Sequence, residues 1–151
     1  MVARMGNSAT EICNLVYTYG RLVDAGDFEG VGRHFAHARI TNDRSDEVAE
    51  GETEIAAMYR RTTRLYPETG TPRTQHAFNN PILEIDEDAD RASCRANFVV
   101  FQQTDRLPLQ PIIAGRYRDR FERVDGAWRY SEKHMIVDLM GDLGDHLLID
   151  L

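Results

Sequence analysis

The hydrophobic period of this chain changes once, at Pro72, and that change constrains the fold more than any other feature. Before it, apolar residues recur at helical spacing. After it come long stretches rich in Phe, Val, Ile and Tyr, separated by turn residues, which is the pattern of strands. Ile12, Leu15, Val16, Tyr19, Leu22 and Val23 form one stripe of a helix over residues 9–24, and Ser8-x-x-Glu11 in front of it has the form of a capping box. Asp24-Ala25-Gly26-Asp27 ends that helix, Gly26 suiting a left-handed C-terminal position and Asp27 suiting the N-cap of a short second helix through Phe35. Residues 38–43 are a candidate short strand. Thr53 and Glu54 open a third helix carrying Ile55, Met58, Tyr59, Thr62 and Leu65, which Pro67 and Gly70 close. Residues 73–86, 90–103, 110–124 and 127–138 read as four long strands. Asp86 to Asp90, Thr104 to Pro108 and Val124-Asp125-Gly126 connect them, and Asp125-Gly126 is a strong hairpin signal.

Helices followed by an antiparallel meander define an α+β chain, not an alternating α/β one. The expected packing is a cone-shaped α+β barrel, in which a strongly curved, mostly antiparallel sheet wraps the N-terminal helices and leaves a cavity at its open end. With 151 residues and neither repeat nor linker, one domain is expected over 1–151, with a core of 8–138 and a C-terminal tail of 139–151.

Composition removes several functions. Lys and Arg number 18 against 25 Asp and Glu, a net charge of −7, which argues against nucleic acid and against an anionic membrane as partners. Apolar runs such as Phe98-Val99-Val100-Phe101 are too short to cross a bilayer, and Met1 to Thr10 lacks the apolar stretch of a signal peptide. Cys13 and Cys94 are too few for a disulfide framework, so a reducing, cytoplasmic setting is expected. There is no Gly-x-Ser-x-Gly elbow, no phosphate-binding glycine loop and no Cys-x-x-Cys, and Gly30-Val31-Gly32 follows no strand. His34 and His37 are spaced to share a helix face, but no third ligand lies near, so neither a metal site nor a cofactor is expected.

What remains is acid/base chemistry by Asp and His. Asp24 sits at a helix C-terminus, where the macrodipole disfavours a negative charge by about 0.3–1 kcal/mol. It shares a second stripe with Cys13, Tyr17 and Gly20, and is either a solvated loop residue or a partly buried carboxylate that needs a partner. His76 shares a strand face with Thr74 and Phe78, opposite Gln75 and Ala77; it is either a hydrogen-bonded core histidine or a general base. By the same parity His134 joins Trp128, Tyr130 and Glu132 on the last strand, while His146 falls in a polar tail with no expected role. Arg116, Arg118 and Arg120 share one face of their strand, the expected outer one. Tyr117, Asp119, Phe121 and Arg123 share the other, where Arg123 is an anion or carbonyl clamp or a rim residue.

Three stretches carry a family resemblance: Leu22-Val23-Asp24-Ala25-Gly26-Asp27-Phe28, Thr74-Gln75-His76, and Tyr117-Arg118-Asp119-Arg120-Phe121-Glu122-Arg123-Val124-Asp125-Gly126-Ala127-Trp128-Arg129. Together they resemble the SnoaL-like branch of the nuclear transport factor 2-like superfamily over roughly residues 8–138. Scytalone dehydratase, bile-acid dehydratase and hexachlorocyclohexane dehydrochlorinase, of that branch, share a catalytic Asp–His dyad. The resemblance implies that Asp24 and His76 occupy its two positions. It further likens Arg123 to the pocket arginine of the dehydrochlorinase and Tyr19 to the acid or orienting tyrosine of the bile-acid enzyme. The helical wheel instead puts Tyr17 beside Asp24, and strand 90–103 offers no counterpart to the second histidine of scytalone dehydratase. Tyr59, Phe78 and His134 complete the expected pocket. Two functions are open: a cofactor-independent lyase or isomerase acting on a hydrophobic, ring-shaped small molecule, or a non-catalytic binding or structural module. Self-association as a dimer or trimer is expected on either.

Overall fold

The computed structural model describes residues 7–151; residues 1–6, which include most of the segment read above for a signal peptide, lie outside it. The elements run α1 (Ser8–Asp24), α2 (Phe28–His34), β1 (Arg39–Asn42), β2 (Ala49–Glu50), α3 (Gly51–Thr62), β3 (Thr74–Asp86), β4 (Arg91–Gln102), β5 (Gln110–Val124) and β6 (Ala127–Met140). One six-stranded sheet has the order β2-β1-β6-β5-β4-β3. All its pairings are antiparallel except β1 with β6. The sheet is curved and unclosed, and the three helices fill its concave side as an α+β cone. No helix among the described residues is long and apolar enough to cross a membrane.

Local chemistry accounts for the boundaries. Asp125 and Gly126 both take positive φ (52° and 81°), as a two-residue hairpin turn between right-twisted strands requires. Asp27 caps α2 by accepting from the Gly30 N–H at 2.8 Å, and Gly26 ends α1 with φ 71°. The predicted capping box is replaced. Asn7 is the N-cap of α1, its side chain accepting from Thr10 N–H, and Ser8 instead lies within the helix, where its hydroxyl accepts from the Trp128 indole at 3.0 Å. The third helix starts two residues earlier than expected, after the short strand β2. It stops at Thr62 because Thr63 turns extended and bridges to Leu147. Pro81 is tolerated in β3 because that strand is an edge and its ladder is broken there by a bulge, with Asn80 at φ 53°.

Four bulges bend the sheet, between Asn79 and Ile82, Val100 and Phe101, Ala114 and Gly115, and Arg120 and Phe121. Inward-facing Ala92, Cys94, Ala96, Phe98 and Val100 of β4, with Tyr117 and Phe121 of β5, meet Ile12, Val16, Tyr19 and Val23 of α1 in one buried cluster. Ile12 and Val16 are essentially unexposed, and such side chains each stabilise the fold by about 1.5–3 kcal/mol. Cys13 and Cys94 are free thiols.

Candidate active site

The site begins where α1 crosses β3. At Gly20 a Cβ would stand 2.6 Å from a ring carbon of Phe78 and 3.1 Å from Cβ of His76, so only glycine lets the helix lie this close to the strand. One turn on, that closeness delivers the Asp24 carboxylate to the backbone of β3. Oδ2 accepts from the His76 N–H at 2.8 Å, and Oδ1 accepts from the Thr74 hydroxyl at 2.8 Å and lies 2.6 Å from His76 Nδ1. Burial pushes the Asp24 carboxyl up, but the His76 ring, its charge, its backbone N–H and the Thr74 hydroxyl outweigh burial and hold it below its ordinary value. Asp24 is therefore an ionised acceptor. Nδ1 of a neutral His76 must carry the proton, leaving the lone pair on Nε2. Among the described residues nothing bonds Nε2, and it is not sealed off; His76 lines both an apolar cavity and a second cleft that it shares with Tyr17, Arg21 and Asp24.

That cavity has a volume of about 250 Å³, just under the usual range of about 300–1,000 Å³ for small-molecule pockets. Its wall is mostly apolar, with Val23, Met58, Phe98, Val100, Met135 and Leu143 among its lining. Its polar lining includes Tyr19, Tyr59, His76 and His146, together with Asn42, Arg44 and Glu47. Tyr19 and Tyr59 share a hydrogen bond of 2.7 Å between their hydroxyls. Burial pushes both phenols well above their ordinary value, so both stay protonated. One of their two protons is used between them, and the Tyr19 hydroxyl also lies 4.0 Å from the Met135 sulfur, a weak acceptor.

Beneath the tyrosines lies a buried ion pair. Lys133 Nζ donates to both Asp119 oxygens at 3.2 and 3.1 Å, and Tyr130 donates to Asp119 at 3.1 Å. Nζ also stands 3.4 Å above the Tyr117 ring and 4.6 Å from the Tyr19 ring centre, cation–π contacts that partly replace lost water. Burial pushes Asp119 up and Lys133 down, and their mutual bonds oppose both shifts.

The structure brings together Asp24, His76, Tyr19 and Tyr59, with Phe78 packed between Tyr19 and Tyr117 at ring distances of 6.2 and 5.4 Å. Three other expected pocket residues lie elsewhere. Tyr17 is on the outer side of α1, 41% exposed. Arg123 faces the same way as Trp128 but at the closed end of the cone, where it stacks on that ring and pairs with Glu87 and Asp90 of the β3–β4 turn. His134 faces outward and bonds the Thr41 hydroxyl at 2.7 Å. The reason is the bulge on β6: Arg120 pairs with Glu132 but Phe121 with Tyr130. The extra residue, Ser131, breaks the alternation, so Trp128, Tyr130 and Lys133 face in while Glu132 and His134 face out. Of the other histidines, His34 bonds the Leu15 carbonyl at 2.8 Å, tying α2 to α1. No cluster of three potential metal ligands occurs among the described residues.

Sequence reasoning missed two groups. Lys133 was hidden by the bulge. His146, expected to be idle in the tail, is 7% exposed and lines the cavity. Burial, with a smaller contribution from the charge of His76, pushes its imidazole down to about 4.

A family model described as a SnoaL-like domain matches residues 6–134. Among solved structures, the chain is similar to an NTF2-like protein with a cystatin-like fold from Novosphingobium aromaticivorans, at 21% identity over 85% of this chain and 80% of that one, with a TM-score of 0.71. It is also similar to a candidate scytalone dehydratase from the same organism (15% identity, 90% and 93% coverage, TM-score 0.67). A third is the beta subunit of a candidate aromatic-ring-hydroxylating dioxygenase, again from that organism (18% identity, 87% and 89% coverage, TM-score 0.67). No curated protein matches the chain at a significant level. At these identities the structural likeness speaks for the fold alone.

Proposed function

This chain belongs to the SnoaL-like domain family, and we propose on that premise that it is a cofactor-independent lyase or isomerase for a hydrophobic, cyclic small molecule. The observation that carries this reading is the 2.6 Å contact of His76 Nδ1 with Asp24, in a residue that lines the apolar cavity and whose Nε2 is unbonded among the described residues. Nε2 takes a proton from carbon, and Asp24 stabilises the imidazolium that forms. The electron pair of the broken C–H bond moves to a new double bond. In an elimination it expels a neighbouring hydroxyl, which leaves as water with a proton from the Tyr19–Tyr59 pair. The proton on His76 then returns to that pair through solvent, so the net change is loss of water. In an isomerisation the same proton is returned to a different carbon.

The open cavity weighs against a purely structural module, whose cone would be filled with side chains. The test needs no natural substrate. Cyclic ketones and β-hydroxy ketones of one or two rings are incubated with the protein in D₂O, and deuterium uptake at the carbon next to the carbonyl is read by mass spectrometry. The wild type accelerates uptake, and His76→Ala and Asp24→Asn each lower the rate by about 10²–10⁴-fold. Full activity in both variants refutes the dyad.

A further inference from the structure

The tail after β6 does not trail into solvent. Asp145 is gripped from three elements: its carboxylate takes the Thr104 hydroxyl and the Arg106 guanidinium, and its carbonyl takes the Gln102 amide at 3.1 Å and the Tyr66 hydroxyl at 2.7 Å. The next residues are held as firmly. The His146 carbonyl accepts from Arg64 N–H at 2.8 Å and Leu148 N–H donates to Thr62 at 2.9 Å. All of this fixes the two side chains between them, His146 and Leu147, in the cavity wall that also contains His76.

The ring of His146 is short of partners. Its Nδ1 is sealed from solvent, and no donor or acceptor among the described residues reaches it. A buried N–H without an acceptor is the rarer and costlier orphan; an unused lone pair is tolerated better. The proton of the neutral ring therefore belongs on Nε2, which has no bond within the described residues and is not sealed. His76 has the opposite arrangement, since Asp24 fixes its proton on Nδ1.

We propose that His146 is a second functional imidazole of the cavity, which donates its Nε2–H to an oxygen of the bound molecule while His76 presents a lone pair to a neighbouring C–H. This deepens the reading above and rests on it for the cyclic ligand. It narrows the ligand class to rings bearing a carbonyl or hydroxyl oxygen beside an acidic carbon. His146 stays neutral in working conditions because burial disfavours its cation, with His76 and Asp24 the titratable groups that act on it across the cavity.

Two measurements test this. Ring ¹⁵N–¹H correlation spectra at pH 7, assigned with His146→Gln and His76→Gln, are expected to show an Nε2-protonated neutral ring for His146 and an Nδ1-protonated ring for His76. An Nδ1-protonated His146 overturns the proposal. Calorimetry then compares 1-tetralone with tetralin, the same bicycle without oxygen. The wild type is expected to prefer the ketone by about tenfold, the effect of one hydrogen bond. His146→Phe should bring that preference below about threefold with tetralin affinity kept, and His146→Gln, which retains an N–H, should restore part of it. Loss of deuterium uptake in Asp24→Asn tests the dyad alone, whereas the ketone preference of the wild type against His146→Phe tests the second imidazole, so the two readings fail separately. A preference that survives His146→Phe overturns the proposal, and failure of both bicycles to bind overturns it together with the cavity reading.

Discussion

Replacing Lys133 with Met removes the only cation bonded to Asp119 among the described residues, and both side chains of that pair are completely unexposed. Breaking a buried pair by deleting one partner costs about 3–5 kcal/mol, a large part of the roughly 5–15 kcal/mol that holds a domain folded. The variant has one escape. Burial already pushes the Asp119 carboxyl up, and without the ammonium only the Tyr130 hydroxyl opposes that push, so the folded carboxyl takes a proton. The unfolded carboxyl, with a pKa of about 3.9, stays ionised near neutrality, so the folded state binds one proton more. Stability then falls by about 1.4 kcal/mol for each pH unit gained, and lowering the pH from 7 to 5 returns up to about 2.7 kcal/mol. Urea unfolding followed by far-ultraviolet circular dichroism at pH 7, 6 and 5 reads this slope; if the variant is unfolded at pH 7, it should fold at pH 5. Lys133→Met combined with Asp119→Asn should lose the slope. A single variant that loses less than about 1 kcal/mol at pH 7, with the pH dependence of the wild type, would refute the argument.

The buried imidazole of His146 has the opposite dependence. Its folded pKa of about 4 lies below the ordinary 6.5. Its contribution is fully present above about pH 6.5 and is lost as pH falls toward 4, for a total of about 3 kcal/mol; His146→Gln should flatten that part of a urea-midpoint profile. Gly20→Ala forces a methyl against Phe78 and the His76 strand. It should destabilise by about 1–3 kcal/mol, move the His76 ring resonances and lower deuterium uptake. Arg123→Ala should leave the uptake rate unchanged, because Arg123 lies at the closed end of the cone. It should speed amide exchange over Glu87 to Asp90, whose turn it holds.

Much of this was readable from spacing because the relevant rules are local. Asp24 and His76 are placed by the end of one helix and by parity at the start of one strand, ahead of the first bulge in β3. The Asp125-Gly126 turn is dictated by two positive φ angles. Parity gives Arg123 its observed face but says nothing of depth along a cone, and Tyr117 is the last residue of β5 in the cavity wall. Parity puts His134 on the wrong face because an extra residue in a strand leaves no mark on composition or period. His146 carries no signal in the sequence because the bonds that fold the tail back reach from Asp145 to Tyr66, Gln102, Thr104 and Arg106, and no periodicity spans such distances.

The bulged pairing of β5 with β6 has an alternative that the charges reject. Were β6 to continue from Tyr130 in strict alternation, Asp119 would stand opposite Glu132 inside the cone and Arg118 opposite Lys133 outside it. Two carboxylates would share a site without water, and two cations would share a rung of the outer face. In the observed register each meets its opposite or its neighbour instead: Asp119 faces Lys133 within, and Arg120 faces Glu132 without. The buried pair thus acts as a proofreader of strand alignment, so that a slip of one residue in β6 is penalised on both faces of the sheet at once.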